Sequence, residues 1–316
     1  MGREHKFRFG VQCAGVASGA ATAAGWRDQA RKIEDLGYST LFMPDHYADM
    51  ELAPMVGMSV AAEATSTLRI GSLVLANDYK HPAVVAKEAA TLDLLSDGRL
   101  ELGIGAGWQR SDYDALGLPY DRPGVRIDRL AEALQVIRGA WGAAPFSFKG
   151  EHYTITDYDA RPKPVQQPPP ILMGGGGHRM LNLAGREADI VGINPNLRAG
   201  EIRADSVWDA VADMTRQKIE WICEGAGDRF DAIELQVRYF VAAITDDRLD
   251  LAERLAAGFG MAAEDALETH VALVGTVDEI VDQLVERRET WGVTYVVVGA
   301  DLSEAFAPVV SRLAGT

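Results

Sequence analysis

Pro170-Ile171-Leu172-Met173-Gly174-Gly175-Gly176-Gly177 runs a short apolar strand straight into four glycines, and a stretch of helical spacing, Met180 to Glu187, follows at once. An apolar run bounded by turn residues and followed by a 3.6-residue period reads as one strand-to-helix unit of a parallel sheet. The same unit recurs on both sides. Upstream, strands are predicted at Phe7 to Gln12, Thr40 to Met43, Arg69 to Leu75 and Leu100 to Ile104. Helices are predicted at Trp26 to Leu36, Met55 to Thr65, from His81-Pro82 to about Leu95, and Arg122 to Trp141. Downstream, strands follow at Asp189 to Asn194, Ile233 to Ile244 and Thr294 to Val298. Helices follow at Ser206 to Glu224, residues 248–267, Val277 to Trp291 and Ser303 to Leu313. Only residues 143–168, rich in proline and carrying Phe146-Ser147-Phe148 and Tyr153-Thr154-Ile155, break the alternation. They read as an inserted hairpin and an extended connection.

Eight apolar strands separated by helices imply a parallel sheet covered on both faces, and eight such units close into a barrel. The expectation is an α/β fold, a single (β/α)8 TIM barrel with insertions in its strand-to-helix loops, one domain over residues 1–316. The rival, an open doubly wound sheet, calls for a G-x-G-x-x-G after the first strand. None stands there; Gly103, Gly105 and Gly107 alternate instead.

Composition narrows the function. Of 316 residues 47% are apolar, which is enough for a large core, and the formal net charge is −15, which argues against nucleic acid or an anionic membrane as partner. Met1 to Phe9 is charged and has no apolar core of a leader, and no apolar run reaches membrane-spanning length. The two cysteines, Cys13 and Cys223, form no C-x-x-C, so a reducing cytoplasm is expected. H-E-x-x-H, G-x-S-x-G and Walker sequences are missing, and no His/Asp cluster has zinc spacing. The expected partner is therefore a small molecule, and no metal is expected.

The glycine run carries the sharpest chemical signal. Backbone amides free of side chains at the start of a helix form an anion site, and the helix dipole adds about half a positive charge. Four consecutive glycines also cost backbone entropy, which favours a phosphate site over a plain tight turn. His178 and Arg179 follow and could add charge. Asp45-His46 directly follows the second strand, on the catalytic face of a barrel. His46 could move a proton, and Asp45 could orient it or act as a base. Gly105-Ala106-Gly107-Trp108 after the fourth strand leaves room for a flat group, or for close packing of strand on helix. Gln12, Asn77 and Asn194 end strands one, three and six, and each could bond a polar heterocycle or serve as a turn residue.

These motifs, in this order, resemble the luciferase-like flavin and deazaflavin oxidoreductases over almost the whole chain. The resemblance rests on Leu36-Gly37-Tyr38 leading to Pro44-Asp45-His46, on Leu68 to Leu75, and on Lys87 to Asp93 with Leu95 to Arg99. Gly103 to Trp108, the glycine run and Leu273-Val274-Gly275-Thr276 complete it. It implies an isoalloxazine-type ring at the C-terminal mouth and a non-prolyl cis peptide at Leu73–Val74. It also implies a cofactor phosphate held at Gly174, Gly175, Gly176, Gly177 and His178. Leu73, Val74, Asn77, Gly105, Ala106, Gly107 and Asn194 would line the ring site, with His46 and Asp45 as the catalytic groups.

The pattern is most similar to the branch using coenzyme F420, with FMN as the alternative cofactor. The implied activity is F420-dependent hydride transfer to or from a small organic substrate. The alternatives are an FMN-dependent monooxygenase using reduced flavin and oxygen, or a non-catalytic flavin-binding barrel. A homodimer and a reductase supplying reduced cofactor are implied as well. The sugar-phosphate dehydrogenases of this family carry a glutamate after strand four and a tryptophan shortly after the histidine. Here Gly105-Ala106-Gly107-Trp108 and Tyr47-Ala48-Asp49-Met50 stand in those places, which argues against glucose 6-phosphate as substrate.

Overall fold

The computed structural model describes residues 5–15, 22–48, 50–259 and 261–316; Asp49 lies outside them. Its strands are β1 (Arg8–Gln12), β2 (Thr40–Met43), β3 (Arg69–Ser72), β4 (Leu75–Ala76), β5 (Leu100–Gly105), β6 (Phe146–Lys149) and β7 (Thr154–Tyr158). Then come β8 (Ile171–Gly175), β9 (Ile190–Ile193), β10 (Glu234–Arg238), β11 (Val241–Ile244), β12 (Ala272–Gly275) and β13 (Val293–Gly299). The helices are α1 (Ala23–Asp35), α2 (Pro54–Ala64), α3 (Pro82–Leu95), α4 (Arg110–Leu116), α5 (Pro123–Trp141) and α6 (His178–Glu187). After them come α7 (Ala212–Ala226), α8 (Arg248–Phe259), α9 (Ala263–Leu267), α10 (Val277–Trp291) and α11 (Ser303–Leu313).

Parallel pairings run β1–β2–β3–β5–β8–β9–β10–β13 and return to β1, so the sheet is a closed eight-stranded (β/α)8 barrel. The apolar strand runs are two-sided. One face packs under the helices in a continuous shell, and the other fills the barrel with Phe42, Leu172, Ile190, Tyr295 and Val297. The Phe42 ring fits because neighbouring strands carry glycine there. A Cβ at Gly10 would lie 2.9 Å from that ring, and one at Gly71 2.6 Å. Local signals hold at the helix starts. Pro82 opens α3, where a missing amide costs nothing, and the Ala83 amide donates to His81 Nδ1 at 3.2 Å. Thr276 and Glu279 form a reciprocal capping box on α10.

Four boundaries differ from the sequence reading. The strand expected over Arg69 to Leu75 is interrupted by a cis Leu73–Val74 peptide, the bond the resemblance implied, and resumes as β4 against the end of β5. The strand expected over Ile233 to Ile244 divides. Its first half, β10, stays in the barrel, while β11 leaves it to pair in parallel with β12, a strand that had not been predicted. A continuous apolar run carries no mark of which sheet each half joins. The helix expected from Ser206 begins as α-helix at Ala212; Ser206 itself lies in a 3-10 helix over Ala204–Ala210. The 248–267 helix is two, α8 and α9, with residue 260 between them outside the described residues. The hairpin expected within 143–168 is present as antiparallel β6 and β7.

The floor of the barrel is ionic. Glu101 on β5 is 1% exposed and accepts from Arg8 Nη1 at 2.8 Å, Arg69 Nε at 2.6 Å and the Tyr295 hydroxyl at 2.9 Å. Arg8 also grips Glu234 on β10 through Nε and Nη2 at 3.0 and 2.7 Å. Burial alone would raise the Glu101 carboxyl, but Arg8 and Arg69 outweigh it and hold it below the usual carboxylate range. Its contribution to stability is therefore full at neutral pH and is lost as pH falls through the carboxylate range. Glu101→Gln is expected to lower the unfolding free energy at pH 7 by about 3 kcal/mol and to flatten the acid limb of the stability profile. Urea denaturation from pH 4 to 8 checks both, and a variant as stable as the parent would refute the role given to this floor.

Candidate active site

The C-terminal strand ends converge on one cavity of about 900 Å³. The bulge at Leu73–Val74 forms one wall. Ser72 ties it down: its hydroxyl donates to the Gly103 carbonyl at 2.7 Å and accepts from the Gly103 amide at 3.0 Å. The backbones approach so closely that a Cβ at Gly103 would lie 1.8 Å from the Ser72 carbonyl oxygen, and one at Gly105 2.9 Å from a Val74 methyl. The alternating glycines of β5 thus serve close packing and leave space in the cavity. Gln12 crosses from β1, and its amide nitrogen donates to the Leu73 carbonyl at 2.9 Å.

His46 stands beside this wall. Its Nδ1 lies 2.7 Å from Asp112 Oδ2, while Asp112 Oδ1 accepts from the Tyr47 and Ala48 amides at 2.8 and 2.9 Å. The Tyr79 hydroxyl donates to the same carboxylate at 3.3 Å. Burial would raise Asp112, but His46 and the two amides outweigh it and keep the carboxyl below its ordinary value. An ionised carboxylate can only accept, so His46 Nδ1 carries a proton, and it is Nε2 that accepts in the neutral ring. The Trp108 ring meets the imidazole edge-on at 5.5 Å between centroids.

Asp45 does not orient His46, contrary to one of the two roles expected for it. Its Oδ2 accepts from the Ala76 amide at 3.1 Å and so fastens the bulge strand to β2. Burial raises the Asp45 carboxyl to about 6; the Ala76 bond, Lys80 and His46 pull the other way without cancelling it. A buried carboxyl near neutrality beside an oriented histidine is a pairing typical of functional sites.

Gly174 and Gly175 extend β8 itself, and Gly176 and Gly177 turn into α6. No side chain caps that helix. Its first amide bonded back into the helix is that of Leu181, to the Gly177 carbonyl, so the amides of His178, Arg179 and Met180 have no acceptor within the helix. A Cβ at Gly176 would lie 2.4 Å from the Pro195 carbonyl, which shows how tightly the loop after β9 covers the run. Arg126, 3% exposed, lies in the same cavity wall. Its Nε and Nη1 have no hydrogen-bond partner, and its guanidinium stacks 4.2 Å over the Tyr120 ring. Glycines without side chains, helix amides with no acceptor in the helix and a buried cation with two unbonded nitrogens in one wall fit a phosphate-bearing cofactor.

Of the residues singled out from sequence, His46, Asp45, Leu73, Val74, Gly105, Ala106, Gly107, the four glycines, His178 and Asn194 all line this cavity. His178 lines it with Nε2 2.9 Å from a Glu224 carboxylate oxygen, so that nitrogen is already engaged. Asn77 is the exception. It is 2% exposed, it is not part of the wall, and its amide nitrogen donates to the Tyr153 hydroxyl at 3.1 Å. The cause is the interruption at Leu73–Val74: the strand end at Asn77 belongs to the turn after β4 and faces the inserted hairpin. Asp112, Arg126 and Arg238 were missed. Asp112 lies on the seven-residue α4, too short to show a period. Arg126 did leave a signal, since it falls four residues before Leu130 on the apolar face of α5.

Residues 7–295 match the luciferase-like monooxygenase family. The chain belongs to it. Among curated relatives of this luciferase-like chain, an F420-dependent glucose-6-phosphate dehydrogenase of Amycolatopsis mediterranei is 31% identical over 169 residues, 51% of this chain and 50% of that protein. An FMNH(2)-dependent dimethylsulfone monooxygenase of Pseudomonas putida is 33% identical over 134 residues, 42% of this chain and 37% of that protein. The chain thus spans half or less of the length of these two relatives. The F420-dependent tetrahydromethanopterin reductase of Methanopyrus kandleri shares the fold with a TM-score of 0.77 at 21% identity, covering 98% of this chain and 99% of that one. An F420-dependent secondary alcohol dehydrogenase, solved with an F420–acetone adduct, shares it with a TM-score of 0.74 at 18% identity and 98% coverage of both chains.

The raised Asp45 carboxyl has a consequence for stability. Between the ordinary value of 3.8 and about 6 the folded chain holds this proton more tightly than the unfolded chain. Asp45 therefore costs stability as pH rises through that window, by about 2–3 kcal/mol once it is fully ionised. Asp45→Asn keeps an oxygen to accept from Ala76. It is expected to raise the unfolding free energy by that order at pH 8 and to change it little at pH 4. Chemical denaturation at the two values measures this; a loss of stability at pH 8 would contradict the burial argument.

Proposed function

We propose that the chain is an F420-dependent oxidoreductase that moves a hydride to or from a small organic substrate. The observation that carries this reading is His46, fixed by Asp112 with Nε2 left as an acceptor, in one cavity with the Leu73–Val74 bulge and the glycine run. The amides of Gly175, Gly176 and Gly177, the start of α6 and Arg126 would hold the cofactor phosphate. Leu73, Val74, Gly105, Ala106, Gly107 and Asn194 would line the ring. When bound, a deazaflavin supplies a carbon that accepts or gives a hydride.

The protein's own residues do the rest. His46 Nε2 takes the proton of a substrate hydroxyl as that substrate is oxidised, or returns it in the reverse direction. Asp112 holds the imidazole in the tautomer this needs and offsets the charge that develops on it. Asp45 fastens the bulge against β2, and Trp108 walls the imidazole from the open mouth. The substrate stays unassigned: the glutamate and tryptophan that mark sugar-phosphate dehydrogenases are replaced here.

The second reading, an FMN-dependent monooxygenase, is favoured by the 33% identity to a dimethylsulfone monooxygenase and by glycine-run and bulge features that suit either tricycle. Under the same proposal the protein works in the cytoplasm as a homodimer, with a reductase supplying reduced cofactor. Exposed Val56 on α2 and Leu94 and Leu95 on α3 offer apolar surface for that assembly.

Titration of the purified chain with F420 and with FMN, followed by absorbance, tests the cofactor. Micromolar binding of F420 is expected; FMN binding alone, with oxygen uptake dependent on reduced FMN, would replace the first reading by the second. Gly176→Ala, forced against the Pro195 carbonyl, is expected to weaken cofactor binding at least about tenfold, or roughly 1.4 kcal/mol. His46→Ala is expected to leave that binding within about twofold and to lower turnover by about 10²–10⁴.

A further inference from the structure

Arg238 ends β10, two strands round the barrel from the glycine run, and its guanidinium forms part of the cavity wall. Two of its nitrogens are engaged. Nε donates to Gln12 Oε1 at 3.0 Å, and Nη1 donates to the Tyr239 carbonyl. Nη2 has no hydrogen-bond acceptor among the described residues, and no carboxylate there comes within 4.0 Å of the guanidinium. The Gln12 bond fixes the orientation of the group, because Gln12 is itself anchored to the Leu73 carbonyl. Nη2 is kept open by a missing side chain: a Cβ at Gly299 would lie 3.2 Å from it.

This is an odd place for a lone cation. The chain carries 46 acidic residues against 31 lysines and arginines, yet no carboxylate of the described residues pairs with this one within 4.0 Å, and Asp301 acts on it only from further off. Burial is the largest influence on it and pushes the guanidinium down to about 10, with Asp301 and Cys13 opposing. A positive charge so held on a cavity-lining residue, with one fork nitrogen without an acceptor among the described residues, matches the geometry in which arginine takes a carboxylate. The surroundings describe the rest of the molecule. Phe240 lies under the guanidinium, 4.9 Å from its carbon, and is 54% exposed; Ile202 is 69% exposed, and both line the cavity. No lysine lines the cavity, so this end suits a single negative charge better than a phosphate dianion.

We propose that Arg238 is the substrate anchor and that the substrate is an organic acid, its carboxylate on Nη2 of Arg238 and its apolar body against Phe240 and Ile202. This rests on the reading of the cavity as a hydride-transfer site and adds the substrate class to it. The rival occupant is a cationic one. Asp301, also in the wall, is exposed, and its Oδ1 would lie 2.4 Å from the same Cβ at Gly299. Being open to water, it attracts an ammonium group only weakly.

The test is calorimetric, on the full chain with and without saturating F420, using hexanoate, 1-hexanol and hexylamine as probes of one body and three charges. Hexanoate is expected to bind at least tenfold more tightly than 1-hexanol, and hexylamine no better than 1-hexanol. Arg238→Met is expected to remove that preference while leaving 1-hexanol and F420 affinities within about twofold; Arg238→Lys is expected to restore part of it. A preference for hexylamine, hexanoate binding no tighter than 1-hexanol, or a carboxylate preference that survives Arg238→Met would each overturn the proposal. The F420 titration is read separately. A chain that binds hexanoate through Arg238 but takes neither F420 nor FMN would sink the hydride-transfer reading and leave the carboxylate site standing.

Discussion

One buried carboxylate holds the floor on which the site is built. Glu101 gathers Arg8 from β1, Arg69 from β3 and Tyr295 from β13. Through these the network reaches Glu234 on β10 and Thr40 on β2, whose hydroxyl lies 2.6 Å from that of Tyr295 and donates to it, the Tyr295 proton being given to Glu101. Six of the eight barrel strands are thereby set in register by side chains as well as by backbone ladders. A charged plug is a costly way to fill a barrel, since each ion loses its water. It works here because both carboxylate oxygens of Glu101 meet donors, and because the Arg8 guanidinium lies 4.1 Å over the Tyr295 ring as well as on two carboxylates. Directional bonds of this kind specify register more sharply than apolar contact does.

With register fixed below, the opposite end can depart from regular geometry. The β3–β4 strand does so at Leu73–Val74, held from three sides: Ser72 to Gly103, Gln12 to Leu73, and Asp45 to Ala76. Each of these bonds comes from a different neighbour. The bulge is thus a shaped wall, and Asp45, which sequence reading made a proton-transfer candidate, is at least as much part of its support. The histidine has its own support in Asp112, which also satisfies two backbone amides. Orientation of the reactive group and closure of the loop after β2 therefore rest on one side chain.

The fold was legible because its signal is periodic and repeated. Leu172, Ile190 and Val297 stand in apolar runs whose length and spacing suffice to name strands. What the runs do not carry is partner choice, so the passage from β10 to β11 looked like one strand. The glycines and His46 were legible because their chemistry is unusual at those positions. Asp112 was not, since it meets His46 from 66 residues away across a helix of seven residues, and nothing local marks it. Asn77 misled for a related reason: a polar residue ending a strand points to the mouth only if the strand is continuous, and this one is interrupted four residues earlier.

The electrostatic layout follows from the same geometry. A chain of net charge −15 repels anions at long range, but that field is screened over about 8 Å at physiological ionic strength. Inside the cavity the nearest charges decide. Arg126 stands in the wall shared with the glycine run, and Arg238 stands two strands further round. Both are partly or wholly withdrawn from water and neither is neutralised by a carboxylate within 4.0 Å among the described residues. If the proposals above hold, Arg126 and Arg238 would give the phosphate-bearing cofactor and an organic acid separate positive positions in the cavity that His46 also lines.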